Sequence, residues 1–184
     1  MTTGRPAVFL DRDGVIVQAI VREGRPYPPS CLAELVIPPE TKTCLERLRE
    51  RGYLLIVVTN QPDVARGTLA ADALEEMHRR LRQLLPLDDI LACCHDDADD
   101  CPCRKPRPGL MIEAARRHGI ALDGSFLIGD RWRDVEAGRN AGCATVLIDY
   151  GYRERGPIHA PDARVGGLDE ATNWILARTP PGNA

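Results

Sequence analysis

No stretch of this 184-residue chain approaches the roughly 18 continuous apolar residues that a membrane-spanning helix needs. The sequence therefore predicts no membrane partner. It also lacks a basic excess: 24 Lys and Arg stand against 27 Asp and Glu, for a formal charge of −3. Aromatic residues make up only 4%. With no basic stripe and few rings to stack on bases, the chain offers little to a nucleic acid. There is no leader-like segment, since the N-terminus runs directly into a strand-like one, which predicts a cytoplasmic protein. Internal repeats and low-complexity tracts are missing too. A small soluble molecule is the favoured partner, and a monomer is the default because no motif calls for a second subunit.

Cysteine is present in an odd number: four of the seven crowd between Cys93 and Cys103. That pattern suits thiolate metal ligation in a reducing compartment better than a disulfide framework. The length fits one ordinary domain with a core on both faces of a sheet, taken as residues 1–178 followed by a flexible Pro/Gly tail at 179–184.

Strand and helix signals alternate. Five strands are expected at Ala7 to Leu10, Tyr53 to Val58, Ile90 to Cys93, Phe126 to Ile128 and Ala144 to Ile148. Helices are expected from Pro39 to before Gly52, and at Leu69 to Leu85, Pro108 to His118, Asp134 to Ala141 and Leu168 to Ala177, with Gly142 stopping the fourth. That order predicts an α/β domain with a five-stranded parallel sheet. Four irregular stretches remain: Arg12 to Pro38, Asn60 to Thr68, His95 to Arg107 and Asp149 to Gly167. Ligands of open α/β sheets bind at the carboxyl ends of strands, so residues leading such loops are the site candidates.

Asp11 and Asp13 end the first strand as D-R-D-G, spaced so that one carboxylate can attack while the other exchanges a proton. Gly14 lets the backbone turn away. Taken alone, D-x-D-G is also an ordinary Asx-turn or helix cap. The second strand ends in Thr59-Asn60-Gln61, offering a hydroxyl and a turn to a phosphate oxygen, and the fourth in Gly129-Asp130 with Asp134 four residues on. A hard cation such as Mg²⁺ takes oxygen ligands, and Asp11, Asp13 and Asp130 supply them.

Cys93-x-His95 and Cys101-x-Cys103 provide three thiolates and an imidazole, a complete tetrahedral set for Zn²⁺. Cys94 is a competing ligand. Four protein ligands leave no position for water, so the metal would be structural and would present Arg104 and Lys105 to the phosphate crevice.

The four motifs in order, Asp11-x-Asp13, Thr59, Lys105 and Gly129-Asp130 with Asp134, resemble the haloacid dehalogenase superfamily over about residues 7 to 150. The resemblance implies a Rossmann-like three-layer fold and a Mg²⁺-dependent phosphatase. Asp11 would be the nucleophile and Asp13 the general acid/base and a main-chain Mg²⁺ ligand. Thr59 and Lys105 would bind phosphate, Asp130 the metal, and Asp134 would support them. The zinc loop followed by C-R-K-P narrows the resemblance to the branch of heptose-bisphosphate and histidinol-phosphate phosphatases. T-N-Q-P-D-V-A-R-G, Thr59 to Gly67, is more similar to the heptose enzymes, whose resemblance makes Arg66 a substrate contact; the short zinc loop is more similar to the histidinol-phosphate enzymes. Asn60, Gln61 and Arg104 are further candidates for substrate binding. Arg131 stands where relatives often carry lysine. No insertion large enough for a cap domain separates the motifs, so a capless site is expected. The rival from another class is a zinc-stabilised binding module without chemistry, which leaves the polar strand ends unexplained.

Overall fold

The computed structural model describes residues 4–178, so the tail expected at 179–184 lies outside the described residues. Strand β1 (Ala7–Leu10) leads into a hairpin of β2 (Ile20–Arg22) and β3 (Arg25–Tyr27). Helix α1 (Thr41–Glu50), β4 (Leu54–Asn60), α2 (Ala71–Leu84) and β5 (Asp89–Cys93) follow. Next come α3 (Gly109–His118), β6 (Phe126–Gly129), α4 (Trp132–Ala141), β7 (Ala144–Ile148), β8 (Ala163–Val165) and α5 (Leu168–Leu176).

The main sheet runs β5-β4-β1-β6-β7-β8 with every pairing parallel. It has six strands, not the expected five. The additional strand β8 is three residues long, half exposed and at the sheet edge, so it carries no apolar run to reveal it. The β2–β3 hairpin was also unexpected. Its turn is Glu23-Gly24, both at positive φ, in place of the more telling Asn-Gly, and Pro26 breaks the strand pattern.

The central strands are apolar throughout because both faces are covered. On β1, Val8 and Leu10 join Leu45 and Leu48 of α1 and Ile175 of α5 in one core. Ala7 and Phe9 point the other way, to Leu110, Met111 and Ala114 of α3 and Ala137 of α4. This is the three-layer arrangement. Helix α2 buries the stripe Leu74, Met77, His78 and Leu81, at helical spacing. Helix α4 ends on Gly142 at φ 83°, as its sequence predicts.

The order places β1 between β4 and β6. Chain connections leave β1 toward β4 and β5, then cross back to β6, so the carboxyl end of β1 is a topological switch point, where such sheets open a crevice. Among the described residues no helix is long and apolar enough to cross a membrane.

Candidate active site

Asp11 follows β1 directly, its amide held by the Ile128 carbonyl of β6 at 2.9 Å. Its Oδ1 accepts from the Arg12 amide at 2.8 Å and pairs with Lys105 Nζ at 2.9 Å. Among the described residues both partners meet Oδ1, leaving Oδ2 without one. Lys105, only 2% exposed, also reaches Asp134 at 2.6 Å and donates to the Val58 carbonyl at 2.8 Å. Burial alone would lower its pKa, but the Asp11 and Asp134 carboxylates outweigh it and hold the ammonium above the ordinary lysine range.

Carboxylate oxygens of Asp11, Asp130 and Asp134 lie within 4.8 Å of one another. Asp134 is satisfied by Lys105 and by the Arg131 amide at 3.0 Å. Asp130 is not: neither of its buried oxygens has a partner in good hydrogen-bond geometry, although the Tyr152 hydroxyl lies near enough to favour its charged form. Burial, then the charges of Asp11 and Asp134, push its pKa well up. An orphaned buried carboxylate beside two others suits a hard divalent cation. Two glycines make the crowding possible. A Cβ on Gly14, at φ +87°, would stand 1.9 Å from Asp130 Oδ2, and one on Gly129 would stand 2.1 Å from Asp134 Cβ.

Asp13 is set apart from this cluster. The Arg12 guanidinium bonds both of its oxygens, at 2.9 and 3.0 Å, and the Gln61 amide donates to it at 2.9 Å. Arg12 is fully buried and also meets Gln61 Oε1 at 3.0 Å and His78 Nε2 at 3.3 Å. Sequence inspection treats Arg12 as a spacer between two aspartates; nothing in D-R-D-G announces that its side chain turns back into the core. Gln61 donates in addition to Thr59 Oγ1 at 2.8 Å, which leaves the threonine proton free for another acceptor.

Gln61 was expected to contact substrate. Instead it is fully buried, its amide consumed by Arg12, Asp13 and Thr59, and it is absent from the cavity wall. Asn60 does border the cavity, but its amide clamps the main chain of Lys105: Nδ2 donates to the carbonyl and Oδ1 accepts from the amide, both at 3.0 Å.

Cys93, His95, Cys101 and Cys103 converge as their spacing predicts. Their sulfur–sulfur separations run from 3.1 to 3.6 Å, and His95 Nδ1 is 3.3 Å from Cys103 Sγ. A tetrahedron with zinc–sulfur bonds of about 2.3 Å has edges of about 3.8 Å, so the cluster is of the right size. Cys94 turns away to pack beside Leu69, Leu74 and Met77. The loop's acids then take hold of neighbouring cations. Asp96 receives Arg66 at 2.8 and 2.6 Å, and Asp97 receives Arg104 at 2.7 Å and Arg133 at 3.2 Å. Those hydrogen bonds from Arg66, together with the Asp97 amide, hold Asp96 down to about 2. Arg131 pairs with Glu154.

All of this surrounds one cavity of about 560 Å³. Its inner end carries Asp11, Asp13, Thr59, Lys105, Asp130 and Asp134. Arg66, Arg104 and Arg131 stand along its walls, while the hairpin contributes Arg25 to Pro28 and the segment after β7 contributes Arg153. The hairpin wall was missed with the hairpin itself.

The family model Hydrolase_like, described as HAD-hyrolase-like, matches residues 102–171. The D-glycero-beta-D-manno-heptose-1,7-bisphosphate 7-phosphatase of Pseudomonas aeruginosa is 36% identical over 152 residues, covering 80% of this chain and 83% of the relative. The D-glycero-D-manno-heptose-1,7-bisphosphate 7-phosphatase of Thermosynechococcus vestitus is 32% identical, with 96% and 98% covered. The crystal structure of D,D-heptose 1,7-bisphosphate phosphatase from B. bronchiseptica, complexed with magnesium and phosphate, aligns with a TM-score of 0.79 at 29% identity, over 94% of this chain and 98% of that one. This chain belongs to the haloacid dehalogenase-like hydrolase family. Within it, the two relatives described above by sequence are heptose-bisphosphate phosphatases.

Proposed function

We propose that this chain is a Mg²⁺-dependent phosphatase that removes the 7-phosphate of D-glycero-D-manno-heptose 1,7-bisphosphate. The observation that carries the proposal is Asp11, at the switch point of the sheet, with one carboxylate oxygen engaged and the other without a partner beside the orphaned Asp130 carboxylate.

In this mechanism Asp11 Oδ2 attacks phosphorus, the ester bond to the sugar oxygen breaks, and Asp13 gives its proton to that oxygen. Asp13 then takes a proton from water, whose oxygen attacks the aspartyl-phosphate on Asp11 and releases inorganic phosphate. Asp11 and Asp130, with the main chain of Asp13, would hold Mg²⁺, which supplies charge neutralisation to the phosphoryl oxygens. Lys105 adds a second cation beside Asp11, and the Thr59 hydroxyl, oriented by Gln61, donates to a phosphoryl oxygen. Arg12 and Gln61 aim Asp13 toward the leaving group. Zn²⁺ on Cys93, His95, Cys101 and Cys103 would be structural, fixing the loop that delivers Lys105.

One chain carries every residue that these steps need, so we take a single-domain monomer as the working form. The unpaired cysteines fit a cytoplasmic setting. The test is Mg²⁺-dependent phosphate release from the heptose bisphosphate beside histidinol phosphate at equal concentration. Preference for the heptose with loss of one phosphate is expected; preference for histidinol phosphate would reassign the substrate. Asp11→Asn is expected to abolish turnover with the fold retained, and full activity in that variant would remove Asp11 as nucleophile.

A further inference from the structure

The arginines around the cavity are not equivalent. Arg66 is held by Asp96, Arg104 and Arg133 by Asp97, and Arg131 by Glu154. Each of these cations is tied to a carboxylate, Arg104 and Arg133 sharing the single charge of Asp97. Lys105 is likewise committed to Asp11 and Asp134. Arg25, on β3, and Arg153, after β7, differ: both border the cavity, and among the described residues neither guanidinium has a carboxylate or carbonyl partner. The outer part of the cavity therefore has two guanidinium groups free to meet an anion.

These two are also placed together by the backbone. The Arg153 amide donates to the Gly24 carbonyl at 2.8 Å, tying the hairpin turn to the segment after β7. The arginine stem lies so close to Gly24 that a Cβ there would stand 2.9 Å from Arg153 Cγ. Glycine at φ +77° thus lets the hairpin turn lie against Arg153, one residue from Arg25.

We infer that Arg25 and Arg153 form a second anion subsite that binds the phosphate which is not hydrolysed, and so select a bisphosphate over a monophosphate. This rests on the phosphatase reading above. A dianionic phosphate asks for two cations, and guanidinium groups meet its oxygens in pairs of charge-assisted hydrogen bonds. Arg104, a candidate for substrate binding from the sequence, is occupied by Asp97 and by the His95 carbonyl at 3.3 Å. The subsite would hold the far end of the substrate while the reacting phosphate sits between Asp11 and Lys105. A molecule with one phosphate would lose that hold and keep its chemistry.

The test uses 1,7-heptanediol bisphosphate and 1,7-heptanediol monophosphate as probes, bound to the full-length enzyme in calorimetry with an Asp11→Asn background to prevent turnover. Arg25→Gln, Arg153→Gln and the double variant are compared. Because both side chains are exposed, the variants should melt with the parent. The parent should bind the bisphosphate at least tenfold more tightly than the monophosphate, and the double variant should bring that ratio to within twofold of one with monophosphate affinity unchanged. A parent ratio near one, or a ratio that survives in the double variant, overturns the subsite. Absence of heptose bisphosphate turnover alongside an arginine-dependent probe ratio would reject the proposed sugar and support the subsite.

Discussion

Asn60 does not reach for substrate, yet its loss should be felt in catalysis. Asn60→Ala removes two 3.0 Å hydrogen bonds to the main chain of Lys105. Each is worth about 1 kcal/mol net, and the partly buried amide and carbonyl left behind add about 1 kcal/mol at most, so about 2–3 kcal/mol should be lost. For a chain of this size that corresponds to a fall in Tm of about 4–12 °C. The Lys105 ammonium depends on this clamp for its place between Asp11 and Asp134. A shift of about 1 Å there should lower kcat by about 100-fold. Asn60→Asp keeps the acceptor for the Lys105 amide and loses the donor, so it should recover about half of the stability while its charge raises KM for an anionic substrate. Denaturant melts and steady-state phosphate release measure both. Asn60→Ala with stability within about 0.5 kcal/mol of the parent and an undiminished kcat would refute the clamp.

Gly14→Ala places a methyl against Asp130 at a positive φ that costs about 1–2 kcal/mol in itself, so activity should fall by about 100-fold with a modest loss of Tm; an active variant would contradict the close approach. Burial, and then the Arg12 guanidinium, hold His78 down to about 4 from the ordinary 6.5. Its neutral form therefore contributes stability that is present above pH 6.5 and lost as pH falls toward 4, worth about 3 kcal/mol across that window. His78→Gln should flatten the acid side of the stability profile by about that amount, and an unchanged slope would count against it. Metal analysis should find one zinc per chain, and Cys103→Ser or chelation should lower Tm in a way that added Mg²⁺ does not restore. A zinc-free chain of unchanged stability would end the structural-zinc reading.

The sheet was legible wherever burial is two-sided, because β1, β4 and β7 must then read as continuous apolar runs. It was not legible at β8, whose Ala-Arg-Val is too short and too exposed for a pattern. The inner site was legible because strand ends point into the crevice and the chemistry limits which residues can stand there. Asp134 proved more central than the supporting place it was expected to take, since it shares Lys105 with Asp11. The outer site was largely hidden. Arg66 and Asp96 are 30 residues apart, and their ion pair has no signature in spacing. Arg12 was hidden for the opposite reason: a cation between two acids looks like surface, and only the buried acceptors Gln61 and His78 make it part of the core.

The zinc loop gathers arginines from three separate segments, through Asp96 and Asp97, without contributing a strand to the sheet. Its architecture separates what must stay constant from what can drift. The rigid floor holds the reactive aspartates, whereas the rim is assembled from detachable pieces. A lineage can therefore exchange its rim and change its diet without relearning the reaction, and a protein engineer can do the same by grafting the hairpin and the metal loop as cassettes.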